Sequence, residues 1–322
     1  MNENNLVGNL KFVDAVAVRK STPMLELIAV LDDTFRQPPF APNRHHDAIE
    51  PYEGDPEGTL LLMPAWRPGV SVGVKVVTVF PGASALDRPA IQGTYILSDG
   101  RTGEIKAIID GKALTTRRTA AASALAAKYL ARDDAKTLLV VGTGSMAPHL
   151  IEAHCSVRDI KTVLIWGRRA QKAELVAAEF EGSPFAIEVV TDLERAARRA
   201  DVISCATLST EPIILGSWLQ PGVHVDLVGG FKPNMRETDN EAIQRARVYV
   251  DTFEGALSEA GDLLIPIAEG DFATGEIIAE LSDLASGANP GRENDLEITL
   301  FKSVGASIED LAAAELVLRS TE

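Results

Sequence analysis

The sequence predicts an α/β protein in which a parallel-sheet domain is inserted into an α+β domain. Two rhythms and one glycine motif predict it. From Gly58 to Ile109 short apolar runs alternate with Gly and Asp turns and no helical pattern intervenes, as in a mostly antiparallel sheet. From about residue 115 apolar runs alternate with helical stretches, the pattern of βαβ units. The first of those runs leads into Gly142-Thr143-Gly144-Ser145-Met146-Ala147, a G-x-G-x-x-A turn. The expected division is residues 1–118 with 301–322 as one domain and 119–300 as the inserted one.

In chain order, residues 6–36 read as a short strand and then a helix over Ser21–Phe35, with Ser21 and Thr22 as caps and Pro23 in the first turn. Gln37 to Arg44 is a Pro-rich loop. Strands are expected at Thr59–Pro64, Val70–Phe80, Gly93–Ser98 and Ile105–Ile109, with a turn at Ser98–Gly103. An Ala-rich helix spans Thr116–Arg132. Strands then follow at Thr137–Val141, Lys161–Trp166, Ile187–Val190, Val202–Ala206, Val223–Leu227 and Val248–Val250, with a helix over Ala170–Phe180. Glu259–Pro266 reads as turn and loop, Glu276–Asp283 as a solvated helix face, and Leu300–Leu318 as a helical return.

Composition excludes several classes. The 322 residues carry 31 Lys and Arg against 46 Asp and Glu, a net charge of −15. That balance opposes nucleic acid and anionic membrane surfaces. No apolar run approaches the ~20 residues of a membrane helix. Two cysteines, Cys155 and Cys205, give no disulfide framework, and Met1 to Asn5 show no basic region followed by an apolar one, so no signal peptide is visible and a cytoplasmic location is expected. The histidines show no metal-ligand spacing, and no metal is expected.

In the glycine motif the first Gly permits a tight turn, the second lets backbone approach a pyrophosphate, and Ala147 is small enough for helix–strand packing. The helix start offers free N–H groups to phosphate. Gly142, Thr143, Gly144, Ser145, Met146 and Ala147 are therefore the candidate cofactor cradle of a Rossmann domain. An NAD site carries an acid at the end of the next strand, yet here Arg168 and Arg169 follow Trp166-Gly167. Guanidinium groups suit a 2′-phosphate, so NADP(H) is preferred, with NAD(H) possible; adjacent arginines capping a strand in solvent is the competing reading. Thr207, after a Rossmann strand, and Val304, in the return segment, are further candidate contacts. Three cations stand out in the first block. Lys75 interrupts the apolar run Val70–Phe80, Arg118 lies in Thr115-Thr116-Arg117-Arg118-Thr119-Ala120-Ala121, and Arg44 ends the Pro-rich loop. A buried Lys needs an anion, although an edge strand or an exposed helix start would explain each one singly.

The stretches Leu61-Leu62-Met63-Pro64-Ala65-Trp66, Gly73-Val74-Lys75-Val76, Asp99-Gly100-Arg101-Thr102-Gly103-Glu104, Arg118-Thr119-Ala120-Ala121 and Lys302-Ser303-Val304-Gly305, taken with the glycine motif, resemble the ornithine cyclodeaminase/μ-crystallin family. The resemblance implies a homodimer whose N-terminal block forms the dimer interface and the substrate floor, and a Rossmann domain for a nicotinamide dinucleotide. It implies that Lys75 and Arg118, with Arg44 in a similar part, hold a substrate carboxylate. Cyclodeaminases carry an Asp after the Gly pair that ends a Rossmann strand; here Phe231 follows Gly229-Gly230. A phenyl ring takes no proton, so the form V-G-G-F-x-P-x-M-R-E resembles the branch that reduces cyclic imino acids. The expected substrates are Δ1-pyrroline-2-carboxylate and Δ1-piperideine-2-carboxylate, reduced to L-proline and L-pipecolate. A cyclodeaminase-type lyase and a μ-crystallin-like NADPH- and ligand-binding protein are the alternatives.

Overall fold

A computed structural model describes residues 10–52 and 54–321. The chain divides into two compact units, Met1–Arg118 with Ser307–Glu322 and Thr119–Ala306. Residues 6–9 of the expected first strand lie outside the described residues.

The first unit begins with β1 (Lys11–Val13), α1 (Ala15–Ser21) and α2 (Met24–Arg36). The single helix expected over Ser21–Phe35 is therefore two. Ser21 ends α1, and the Thr22 hydroxyl donates to Val18 O at 2.7 Å instead of capping α2. Pro23 itself is the N-cap of α2, where its fixed φ sets the corner between the helices. Leu27, Ile28, Leu31 and Phe35, spaced for one helical face, are all buried. Then come β2 (His45–Ile49), β3 (Gly58–Arg67), β4 (Ser71–Val79), β5 (Ile91–Asp99) and β6 (Ile105–Asp110). They form a six-stranded sheet in the order β1-β6-β5-β4-β3-β2, antiparallel except that β1 runs parallel to β6. The chain crosses into the second unit within α3 (Gly111–Leu130), which starts five residues earlier than expected because the Asp110 side chain accepts from Ala113 N at 2.7 Å.

The second unit contains β7 (Thr137–Val141), α4 (Ala147–Val157), β8 (Thr162–Trp166), α5 (Ala170–Ala178), β9 (Ala186–Val189), α6 (Leu193–Ala197), β10 (Val202–Cys205), β11 (His224–Leu227), α7 (Asn240–Arg245), β12 (Arg247–Val250), α8 (Phe253–Glu259), α9 (Gly261–Glu269), β13 (Ile277–Glu280), α10 (Leu281–Ser286) and β14 (Thr299–Lys302). All eight strands run parallel in the order β13-β12-β14-β11-β10-β7-β8-β9. This is a Rossmann sheet, and its strand order reverses direction at β7. Apolar runs such as Leu138–Val141 are buried on both faces, as a parallel sheet requires.

Three expected segments differ. Glu259–Pro266 is not a loop: α9 starts at Gly261, where a Cβ would lie 2.7 Å from Pro233 O, so only glycine admits the close approach. Glu276–Asp283 is the edge strand β13 and the start of α10, because Ile277 and Ala279 alternate inward while Ile278 is exposed. The helical return at 300–318 begins instead with β14, whose Leu300 and Phe301 are fully buried between β11 and β12. The crossing back therefore follows Ala306 rather than residue 300, and α11 (Ser307–Ser320) completes the first unit. Among the described residues no helix is long and apolar enough to cross a membrane.

Candidate active site

In the first unit, strand alternation sends Met63, Lys75, Tyr95 and Ile109 to one face of the sheet, in direct register. That face packs against α11. Lys75 is thus a cation in an apolar row, 2% exposed. Its partner comes from α11. Lys75 Nζ lies 2.7 Å from Asp310 Oδ2 and 2.9 Å from Oδ1, with Thr115 Oγ1 at 3.3 Å. Arg118 lies within α3 rather than at a helix entry, and it is 4% exposed. Its Nε donates to Asp310 Oδ1 at 3.0 Å and its Nη1 to Glu309 Oε2 at 2.7 Å. Arg44 precedes β2 and is half-buried.

The electrostatics follow from this arrangement. Burial pushes Lys75 down, Asp310 pulls it back, and Arg118 and Arg44 push it down again, leaving it at about 8. Burial raises Asp310, but Arg118 and then Lys75 overcome that and hold it below the usual carboxylate range. Burial also lowers Arg118, and the opposing Asp310 and Glu309 leave its pKa raised. Glu309 and Asp310 both stand in the first turn of α11, where the helix dipole favours negative charge. Gly73 is required two residues before Lys75, because a Cβ there would overlap the buried Tyr95 hydroxyl.

Sequence reasoning missed Glu309 and Asp310. The signal was weak: an acidic pair stands between Ile308 and Leu311-Ala312-Ala313-Ala314, and acids are ordinary in a first helical turn.

In the second unit the turn after β7 has the expected form. Gly142 adopts φ 119°, and a Cβ there would lie 2.6 Å from Ala206 O. Around a Cβ on Gly144 nothing lies within 4 Å, so its backbone is open to an approaching group. Ser145 is exposed, Met146 is the N-cap of α4, and Ala147 is 1% exposed against the sheet. Thr143 leans over the end of β8, its Cγ2 2.6 Å from where Gly167 would carry a Cβ. Arg168 and Arg169 follow, both exposed, with Arg169 as the N-cap of α5. An open, glycine-lined turn at a helix start, beside the point where strand order reverses, fits a dinucleotide pyrophosphate.

Thr207 is engaged elsewhere. Its N–H and hydroxyl both donate to Glu237 Oε1, at 2.6 and 2.8 Å, while Glu237 Oε2 accepts from Gly229 N at 2.8 Å. Glu237 is fully buried near Asp262 and Lys302; burial raises it to about 7, Lys302 opposing. Val304 N and Gly305 N donate to Asp251 Oδ2 at 2.8 and 2.6 Å, which fixes the turn after β14. Phe231 is half-buried in the turn after Gly229 and Gly230. Burial pushes the Cys155 thiol up to about 12 and also raises Cys205 well above its ordinary value, so both thiols stay protonated. Among the described residues no group of three or more His, Cys, Asp and Glu side chains could hold a metal ion.

Residues 10–322 match the profile of the ornithine cyclodeaminase/mu-crystallin family. The chain belongs to that family. Among relatives of the family, the Δ1-pyrroline-2-carboxylate reductase of Colwellia psychrerythraea is 38% identical, covering 96% of this chain and 98% of its own. The enzyme of the same name from Bacillus cereus is 43% identical over 80% of each chain. The solved structure of the Thermococcus litoralis Δ1-pyrroline-2-carboxylate reductase, in complex with NADH and L-proline, has a TM-score of 0.89 at 33% identity, covering 96% of this chain and 97% of that one. The resemblance to the reductase branch, which the Phe231 segment carries in the sequence, is thus matched by relatives along nearly the whole chain.

Proposed function

We propose that this family member is an NAD(P)H-dependent oxidoreductase that reduces a cyclic ketimine, Δ1-pyrroline-2-carboxylate or its six-membered homologue Δ1-piperideine-2-carboxylate, to L-proline or L-pipecolate. The observation that carries the reading is the buried Lys75–Arg118 pair, one cation on β4 and one on α3 that share Asp310, with a third, Arg44, close enough to depress Lys75. Charge-assisted bonds from such groups suit a substrate carboxylate. The reductases named above, similar along most of their length, support the same chemistry.

The glycine turn, Gly142 to Ala147, would hold the pyrophosphate, and the reduced nicotinamide supplies the hydride when bound. Arg168 and Arg169, where an acid would meet a ribose 2′-OH, favour NADP(H), with NAD(H) also accepted. Thr207 acts there through its backbone tie to Glu237, its hydroxyl proton being committed; Val304 helps to close the same end of the sheet. On the substrate side, Lys75 near pH 8 is poised to give a proton to the imine nitrogen. Phe231 in place of an acid suits an imine that arrives already formed, because no ammonia has to be added or expelled.

The outward face of the six-stranded sheet supports a homodimer. Phe12, Ile108, Ile96, Val74 and Pro64 line up across it in register and are exposed or half-buried. A contiguous apolar sheet face of this kind is normally covered.

The test is direct. Protein, NADPH and Δ1-pyrroline-2-carboxylate are mixed and reduced-nicotinamide absorbance is followed. Loss of signal over many turnovers with formation of L-proline is expected. Ammonia release from ornithine without net cofactor change, or tight NADPH binding with neither reaction, would overturn the proposal.

A further inference from the structure

We propose that Asp310 is the positioning residue of the cation pair: from the first turn of α11 it bridges Lys75 and Arg118, sets their spacing and keeps the Lys75 ammonium charged. The inference rests on the reduction proposed above and adds to it a group on a helix that sequence motifs did not single out.

The geometry separates the two acids of α11. Asp310 Oδ1 accepts from both Lys75 Nζ, at 2.9 Å, and Arg118 Nε, at 3.0 Å, while Oδ2 lies 2.7 Å from the same Nζ. Glu309 engages Arg118 Nη1 at 2.7 Å. One carboxylate is thus shared by two cations and the other serves Arg118. The groups that act on Lys75 come from every packed element. Asp310 comes from α11, Arg118 and Thr115 from α3, the buried phenol of Tyr95 from β5, and Arg44 from the segment before β2. Burial and both guanidinium groups oppose the ammonium form. Among these groups Asp310 is the one that favours it; the Tyr95 phenol is itself held neutral by burial and by Asp310.

This matters to the proton step. The imine nitrogen takes a proton from Lys75 Nζ, the C=N carbon accepts hydride, and the double-bond pair becomes the amine lone pair. NAD(P)H is oxidised, and water returns the proton to Lys75. A neutral Lys75 can neither donate nor pair with a carboxylate. Removal of the Asp310 charge shifts Lys75 further toward the neutral form.

The experiment compares wild type, Asp310→Asn, Asp310→Glu and Glu309→Gln. Asn keeps the side-chain volume and an acceptor, and circular dichroism checks that each variant is folded. Two quantities are read: the alkaline limb of kcat/KM, and the titration of Lys75 by 13C NMR of ε-labelled lysine, assigned with Lys75→Met. The expected result in Asp310→Asn is a limb and a titration that move together to lower pH by about one unit, a roughly 10-fold loss of kcat/KM above the shifted limb. Asp310→Glu, which keeps the charge, stays near the wild-type limb even where packing lowers kcat. Glu309→Gln raises KM and leaves the limb in place. A Lys75 titration unmoved in Asp310→Asn, or a limb that shifts equally in Glu309→Gln, would overturn the assignment. If the NMR titration shifts while wild type reduces no cyclic imine, the reductase reading fails and the electrostatic hold of Asp310 on Lys75 stands.

Discussion

Lys75 takes a position in β4 that the pleat gives to an apolar side chain, and α11 supplies the carboxylate that makes this tolerable. Lys75→Met is expected to lower kcat/KM about 10³-fold, the order of a lost general acid, with NADPH affinity unchanged by fluorescence titration. The pH dependence has a definite sign. The proton donor must be charged, so kcat/KM is flat below about 8 and falls as pH rises through that value. Stability responds in the opposite sense: because burial depresses Lys75 in the folded chain, its contribution increases as pH rises from about 8 toward the unfolded value of 10.5. At this scale the sequence exposed the cations and hid the acids. A lysine between valines is conspicuous, as is a pair of arginines before an alanine run. Glu309 and Asp310 look ordinary in a helix start until burial on every side is known.

Elements hold these residues in place, and their failures are predictable. Gly73→Ala forces a methyl group into the Tyr95 ring inside β4, and denaturant unfolding should show a loss of about 1–3 kcal/mol. Glu237 ties the loop after β10 to the loop after β11. Glu237→Ala leaves Thr207 N, Thr207 Oγ1 and Gly229 N without their acceptor, which should cost about 3 kcal/mol in the same assay and weaken NADPH binding. At the end of β8, replacing Arg168 and Arg169 by Ala is expected to weaken NADPH about 10-fold and NADH little, measured as the ratio of dissociation constants. Strands β7, β8 and β10 were legible because both-face burial writes continuous apolar runs. Edge strand β13 was not, because its alternation of Ile and Ala beside Glu276 and Glu280 matches a helical face equally well. The corner at Pro23 was misread because Ser21 and Thr22 are good caps in isolation, while the structure uses Thr22 to bond back to α1.

At the scale of the molecule, one chain carries a Rossmann unit and a sheet–helix unit that α11 completes from the far end of the sequence. The return of α11 is what brings its acids to residues 191 to 235 positions earlier, a link that local periodicity does not contain. The apolar outer face of the six-stranded sheet predicts association: light scattering should give a dimer, and Val74→Asp, placed mid-sheet between Ile96 and Pro64, should give a monomer that retains NADPH binding. The decisive measurement is steady-state turnover of Δ1-pyrroline-2-carboxylate with NADPH, in wild type and Lys75→Met side by side. Catalytic formation of L-proline is expected from the first and about a thousandfold less from the second; equal rates in the two proteins, or none in the wild type, would rule out imine reduction through Lys75.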